Sequence, residues 1–304
     1  MPGITLPPPV TRVAVHLAFR YALHHRLPWR AQRFALDIGS RLQLLPRDTR
    51  VRRLRLGGRP AERVTVGADI QPGAVLYLHG GGYATGSLAS HRSLEAYLAR
   101  ELGRPVFALD YRLAPEHPYP AALDDAEAAF LELVSSGLRA ADIAVCGDSA
   151  GGGLALALAL RLRDRHGTRP AALGLIAPWS DPADRDSRYR DLVTNRPWSD
   201  ACAAAYLGDG DASDPGYAPL RGELRGLPPV YVQVDAAERL HDQCVRLVAA
   251  LREAEVPTHF SVTRGLWHVA QAQAALVPAA AAAVTELAAF LEESLQPAQT
   301  RSIG

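Results

Sequence analysis

The sequence predicts an α/β fold, one large domain built on a mostly parallel sheet with helices on both faces. Three observations predict it. From about residue 51, short apolar runs bounded by Gly and Pro alternate with helical segments. A serine set between glycines directly follows one of these runs and opens the next helical segment. The chain has 304 residues and is 48% apolar, long enough for one large α/β core or two small ones.

The apolar runs lie at 63–66, 75–78, 106–109, 143–146, 173–177, 230–234 and 259–262. The helical segments lie near 88–102, 121–136, 152–166, 240–254 and 275–295. Apolar strands that alternate with helices pair in parallel and need cover on both faces. Ligands of such sheets bind beyond the carboxyl ends of the strands.

Two stretches break the alternation. Residues 1–50 are basic and helical in pattern, with Pro28 and Pro46 as breaks, and Leu17, Tyr21 and Leu36 mark amphipathic helices. Residues 180–228 are rich in Asp, Arg, Gly and Pro and carry Trp198, Tyr206 and Tyr217, the pattern of an irregular insertion with short helices. Both are expected to cover the active edge of the sheet. The chain then divides into a helical cap segment at 1–50, an α/β domain at 51–297 with a cap insertion at about 180–225, and a tail at 298–304.

Composition excludes several function classes. The net charge is +1, which gives no electrostatic footprint for a nucleic acid. All 33 basic residues are arginine, so lysine Schiff bases, Ser–Lys dyads and P-loop lysines are excluded. Three scattered cysteines, Cys146, Cys202 and Cys244, fit free thiols in a reducing compartment, and the expected location is cytoplasmic. No Cys/His spacing points to a metal, and no cofactor is expected. The stretch 13–19 is interrupted by His16 and followed by Arg20, so it does not read as a signal peptide. No uncharged run reaches the ~18 residues of a membrane span, so no stable membrane insertion is expected. The expected partner is a small molecule, with a homodimer as the protein assembly to consider.

The serine is Ser149, in Gly147-Asp148-Ser149-Ala150-Gly151. A serine on a tight strand-to-helix turn is held with its hydroxyl exposed, and the glycines allow the turn. Such a nucleophile needs a base, an acid to orient the base, and donors for the oxyanion. His79-Gly80-Gly81-Gly82-Tyr83 follows the run at 75–78, and its glycines let backbone N–H groups approach a ligand oxygen. The N–H of Ala150 is a further donor. Of ten histidines, His268 in Gly265-Leu266-Trp267-His268 follows the last predicted strand and is best placed as base. Asp235, Glu238 and Asp242 all follow the run at 230–234, and spacing alone does not choose the acid. Tyr83, Trp179, Trp198, Tyr206, Leu207 and Trp267 are candidates for the substrate pocket, and their bulk points to short or medium acyl chains.

These motifs, with Asp110-Tyr111-Arg112-Leu113-Ala114-Pro115-Glu116 and Ala177-Pro178-Trp179-Ser180-Asp181, resemble the hormone-sensitive-lipase-like family of α/β-hydrolases, in its bacterial carboxylesterase branch. The resemblance runs from about residue 51 to 295. It implies an α/β-hydrolase fold with an eight-stranded, mostly parallel sheet and a helical cap. It implies Ser149 as nucleophile, His268 as base, and Gly81, Gly82 and Ala150 as oxyanion donors. Arg112 and Glu116 match structural residues. The family commonly has Asp-x-Leu-x-Asp after this strand. Here Glu238-Arg239-Leu240-His241-Asp242 stands there, which puts Glu238 in the acid's place with Asp235 as runner-up. The glycine usual before the acid is absent, since the chain reads Val234-Asp235-Ala236-Ala237. The implied reaction is hydrolysis of short- to medium-chain carboxylic esters through an acyl-serine. Alternatives with the same residues are deacetylation, amide or lactone hydrolysis, and acyl transfer. A non-catalytic small-molecule receptor is the remote alternative.

Overall fold

Side chains of strand β3 (Ala74–Leu78) alternate between two cores: Leu76 and Leu78 enter one, Val75 and Tyr77 the other. The sheet therefore has both faces buried, as its continuous apolar runs require. The computed structural model describes residues 8–68, 70–184 and 191–296. The expected tail at 298–304 lies outside them, as do parts of both expected cap segments.

The remaining strands are β1 (Thr49–Leu56), β2 (Arg59–Val66), β4 (Val106–Leu109), β5 (Ile143–Asp148), β6 (Leu173–Ile176), β7 (Val230–Asp235) and β8 (Thr258–Thr263). They form one sheet of eight strands in the order β1-β2-β4-β3-β5-β6-β7-β8. The pairings β1–β2 and β2–β4 are antiparallel, and the others are parallel. β1 was not among the predicted runs. It is an edge strand, Thr-Arg-Val-Arg-Arg-Leu-Arg-Leu, with its arginines exposed. Charged side chains there blunt an edge that would otherwise pair with another chain.

Helices α1 (Pro8–Ala22) and α2 (Trp29–Ser40) precede the sheet. Then come α3 (Leu88–Leu102), α4 (Ala121–Ser135), α5 (Ala150–His166), α6 (Arg196–Leu207), α7 (His241–Glu253) and α8 (Pro278–Leu295). Apolar residues of α4, α5 and α7 fill one core, and those of α3 and α8 fill the other. α6 sits in the crossover from β6 to β7. Among the described residues no helix is long and apolar enough to cross a membrane.

β3 pairs with β4 on one side and β5 on the other. The strand order reverses there, which opens a crevice beyond their carboxyl ends. Leu78 of β3 faces Gly147 of β5, so the loop after β3 and the turn after β5 lie side by side. β7 and β8 are also neighbours. Residues that follow these four strands are brought to one edge of the sheet.

Candidate active site

Ser149 begins at the end of β5. Its φ of 51° and ψ of −119° put a non-glycine residue in a region L side chains rarely adopt. Such a conformation costs ~1–3 kcal/mol and persists only where the surroundings hold it. Here the Ser149 N–H donates to the Ile176 carbonyl at 2.8 Å, and its own carbonyl accepts from Trp179 at 2.8 Å. The turn also demands a glycine behind it. A Cβ on Gly151 would overlap the Leu78 carbonyl oxygen, so helix α5 can approach β3 this closely only without one.

His268 reaches this serine from the loop after β8. Its Nε2 lies 2.9 Å from Ser149 Oγ. Its Nδ1 lies 2.6 Å from Glu238 Oε2. The other Glu238 oxygen accepts the Asp235 N–H at 2.8 Å, which fixes the carboxylate. Both residues are buried. Burial pushes the Glu238 carboxyl up, against the pull of the His268 hydrogen bond. Burial alone would lower His268. The hydrogen bond and charge of Glu238 outweigh it and raise the imidazole above its ordinary value.

Asp235 is placed differently. Its Oδ1 accepts the Ala237 N–H at 3.0 Å, and its Oδ2 accepts the Leu266 N–H at 2.9 Å and the Thr263 hydroxyl at 3.0 Å. It ties the turn after β7 to the loop that carries His268. Asp242 stands in the first turn of α7 beside His241.

Gly81 and Gly82 follow β3 next to this turn. A Cβ on Gly82 would fall 2.6 Å from Cys202 Sγ, and the residue has φ +63°. Only glycine fits between α6 and the crevice. Ala150 is the first residue of α5, where the N–H has no partner inside the helix.

The resemblance pointed to Arg112 and Glu116 as structural residues near this loop, but Asp148, His91 and Arg33, which also hold it, were not singled out. Asp148, inside the serine motif, is buried. Its Oδ1 accepts the Tyr77 hydroxyl at 2.8 Å and the Gly80 N–H at 3.1 Å. His91 Nε2 lies 3.3 Å from its Oδ2. Burial would raise the Asp148 carboxyl, but His91 and Tyr77 hold it below the usual range. Glu95, one turn on from His91, is pushed up to about 8 by burial. Arg112 pairs with Asp125 at 2.7 Å, and Glu116 with Arg33 of α2 at 2.7 Å. Arg33 also donates to the carbonyls of Ala84 and Ala114, both at 2.8 Å.

Asp191 was missed as well, since it lies in an irregular stretch with no periodicity. With Glu238 and His268 it brings three potential ligand atoms within 4.8 Å. Those atoms are already engaged. His268 Nδ1 is on Glu238, and Asp191 accepts from the N–H groups of Val193, Thr194 and Arg239.

A cavity of about 700 Å³ opens above Ser149 and His268. Of the six aromatic or bulky residues proposed for the pocket, only Trp198 lines it. Tyr83, Trp179, Tyr206, Leu207 and Trp267 do not, which corrects that expectation. Tyr83 stacks on Tyr206 at 3.7 Å between centroids, and Tyr206 on Tyr217 at 5.5 Å. Trp179 is buried beside Tyr83, Leu207 packs against the same core, and the Trp267 indole donates to Gln273 at 2.9 Å. Their ring surface is satisfied by core packing. Small and aliphatic residues of α1 and α2, Ala14, Val15, Ala18, Ala35 and Leu36 among them, form the wall instead.

A strained serine, a buried His–Glu pair in line with it and a glycine loop beside it define a serine hydrolase of the α/β type. The family described as alpha/beta hydrolase fold matches residues 75–272, and the chain belongs to it, within the bacterial hormone-sensitive-lipase branch. An acetyl-hydrolase of Streptomyces hygroscopicus is 37% identical over 250 residues, covering 78% of this chain and 84% of the relative. Esterase LipU of Mycobacterium tuberculosis is 33% identical over 291 residues, covering 90% and 96%. The crystal structure of an esterase from the bacterial hormone-sensitive lipase family superimposes with a TM-score of 0.88 at 32% identity, covering 96% of this chain and all of that one. The protein is a serine hydrolase of carboxylic esters.

Proposed function

We propose that Ser149 is the nucleophile, His268 the general base and then acid, and Glu238 the residue that orients and charges-balances His268. The observation that carries this is the relay of 2.9 Å from Ser149 to His268 and 2.6 Å from His268 to Glu238. Ser149 Oγ attacks the ester carbonyl carbon as His268 Nε2 takes its proton. The oxyanion sits on the N–H groups of Gly81, Gly82 and Ala150. The tetrahedral intermediate collapses, His268 protonates the departing alcohol, and an acyl-serine remains. Water, deprotonated by His268, then releases the acid. Loss of one oxyanion donor costs ~3–4 kcal/mol of barrier in a comparable hole.

α1, α2 and α6 act as the cap in this reading. Their apolar cavity wall suits the hydrocarbon part of an uncharged ester of short to medium acyl chain. A cytoplasmic location is part of the proposal, supported by three buried free thiols. The test is kcat/KM on p-nitrophenyl esters from acetyl to dodecanoyl, beside a lactone and an acetanilide. A burst followed by steady turnover, with esters far ahead of the amide, is expected. Faster cleavage of the amide or the lactone would overturn the ester assignment.

A further inference from the structure

The outward faces of α1 and α2 are apolar. Val10, Val13, Leu17 and Tyr21 follow one another at spacings of three and four residues along α1. Val13 is 61% exposed and Tyr21 70%. On α2 Phe34 is 66% exposed and Ile38 46%, and Leu42 beyond it is 84% exposed. Ten of the fourteen exposed large apolar residues among those described lie between positions 10 and 45. A contiguous apolar surface of this kind marks an interaction site.

This surface continues into the active-site cavity. Val10, Tyr21 and Ile38 are exposed and also line the space above Ser149. An apolar path therefore leads from the outside of the cap to the nucleophile.

Its charge is one-sided. Residues 8–47, which carry α1, α2 and their flanking turns, hold 7 arginines against 1 acid, whereas the rest of the chain holds 26 against 31. Arg20, Arg26, Arg30, Arg41 and Arg47 are exposed. Along α2 and the residue that caps its end, the order Arg30, Phe34, Ile38, Arg41 places cations at both ends of the apolar stripe at helical spacing. The nearby acids are Asp37, which accepts the Ser87 hydroxyl, Asp48, and Glu116, which is paired with Arg33. Two copies of this face pressed together would set arginine against arginine. An anionic surface satisfies both the apolar residues and the cations.

We propose that the outer face of α1 and α2 docks the protein on an anionic phospholipid surface and draws apolar esters from it into the cavity above Ser149. The delivery step rests on the ester-hydrolase reading; the docking step does not. The apolar side chains enter the headgroup boundary in the plane of the surface, with no helix crossing it. Each arginine near such a surface strengthens partitioning roughly fivefold, and salt weakens it.

The experiment is sedimentation of the full-length Ser149→Ala protein with phosphatidylcholine vesicles, with and without phosphatidylglycerol. Binding is expected only with phosphatidylglycerol, and about 1 M salt should lower it at least tenfold. Val13→Asp/Leu17→Asp/Phe34→Asp and Arg20→Glu/Arg30→Glu/Arg41→Glu should each lower it tenfold or more. None of these six residues lines the cavity. In the active protein the same changes should leave hydrolysis of a dissolved acetate ester intact and suppress hydrolysis of a vesicle-borne decanoate ester. No binding to either vesicle, or equal binding to both, overturns the proposal. So does a dimer in analytical ultracentrifugation that the apolar variants dissociate, because the face then belongs to a second copy. Vesicle binding with no hydrolysis of any ester would instead overturn the reading of the site and leave the docking face standing.

Discussion

The indole Nε1 of Trp198 donates a hydrogen bond to the side-chain oxygen of Gln32 at 2.8 Å, across 166 positions of sequence. Gln32 is fully buried, and its amide nitrogen donates back to the Leu27 carbonyl at 2.9 Å. One glutamine thus joins the turn between α1 and α2 to helix α6, the two separate parts of the proposed cap. Gln32→Leu leaves the indole N–H without its acceptor, a loss of about 1–3 kcal/mol for a buried donor. The expected result is a Tm lower by several degrees and a raised KM with kcat nearly kept. Thermal melting and steady-state kinetics on one ester check it; a fall in kcat alone would show that the cap does not depend on this bond.

Ser149→Ala should remove hydrolysis by up to ~10⁶-fold, since the reacting residues work as a unit. The fold should persist, because the turn is held by backbone bonds. Single-turnover assays and circular dichroism are the checks, and more than about 1% residual activity in a clean preparation would count against the assignment.

Glu238→Gln should cost far more activity than Asp235→Asn. An amide in place of Glu238 favours the wrong imidazole tautomer, a change worth ~10⁴-fold in the serine-protease example. Asp235 touches backbone N–H groups and Thr263, not His268. Its replacement turns one amide face toward a donor and should lower stability by about 1–3 kcal/mol. Comparison of kcat/KM with thermal melting for both variants separates the roles.

The acid limb of kcat/KM should fall above the ordinary histidine value of about 6.5. His268 is raised, so its protonated, inactive form persists to higher pH than in a free imidazole. Glu238→Gln should move the limb downward, since burial then acts without the opposing carboxylate. The raised value also adds stability that is present below pH ~6.5 and disappears as pH rises through the folded-state value. A pH–rate profile and melting at several pH values test both signs.

The parallel part of the sheet was legible because β3, β5, β6 and β7 are apolar on both faces, which leaves unbroken runs. β1 was not, because Arg50, Arg52, Arg53 and Arg55 face solvent and carry no strand period. Ser149, His268 and the glycine loop could be placed from motifs and their position after strands. The choice of Glu238 over Asp235 needed the family pattern, since both carboxylates follow one strand. The cavity wall was misread because bulk drew attention to Tyr83, Trp179 and Tyr206, which satisfy one another. Alanines of α1 and α2 give no signal in a sequence until the helices are docked.

Gly82→Ala should lower both kcat and Tm, because the new methyl meets Cys202 Sγ at 2.6 Å and Trp198 at 3.0 Å. Adding Cys202→Ala should return part of the lost stability, though the φ of +63° remains unfavourable for alanine. Kinetics and melting of the single and double variants measure the coupling between the two positions.

That contact between Gly82 and Cys202 sets a limit on exchange of parts. Helix α6 is not a detachable lid, since its buried thiol forms the floor on which the glycine loop rests. A cap segment transplanted from another esterase to alter substrate range would carry its own residue to this point. Anything bulkier than cysteine would press on the loop, so specificity and rate would change together. Grafting of substrate range onto this scaffold therefore has to begin at position 202, before any residue that faces the ester is chosen.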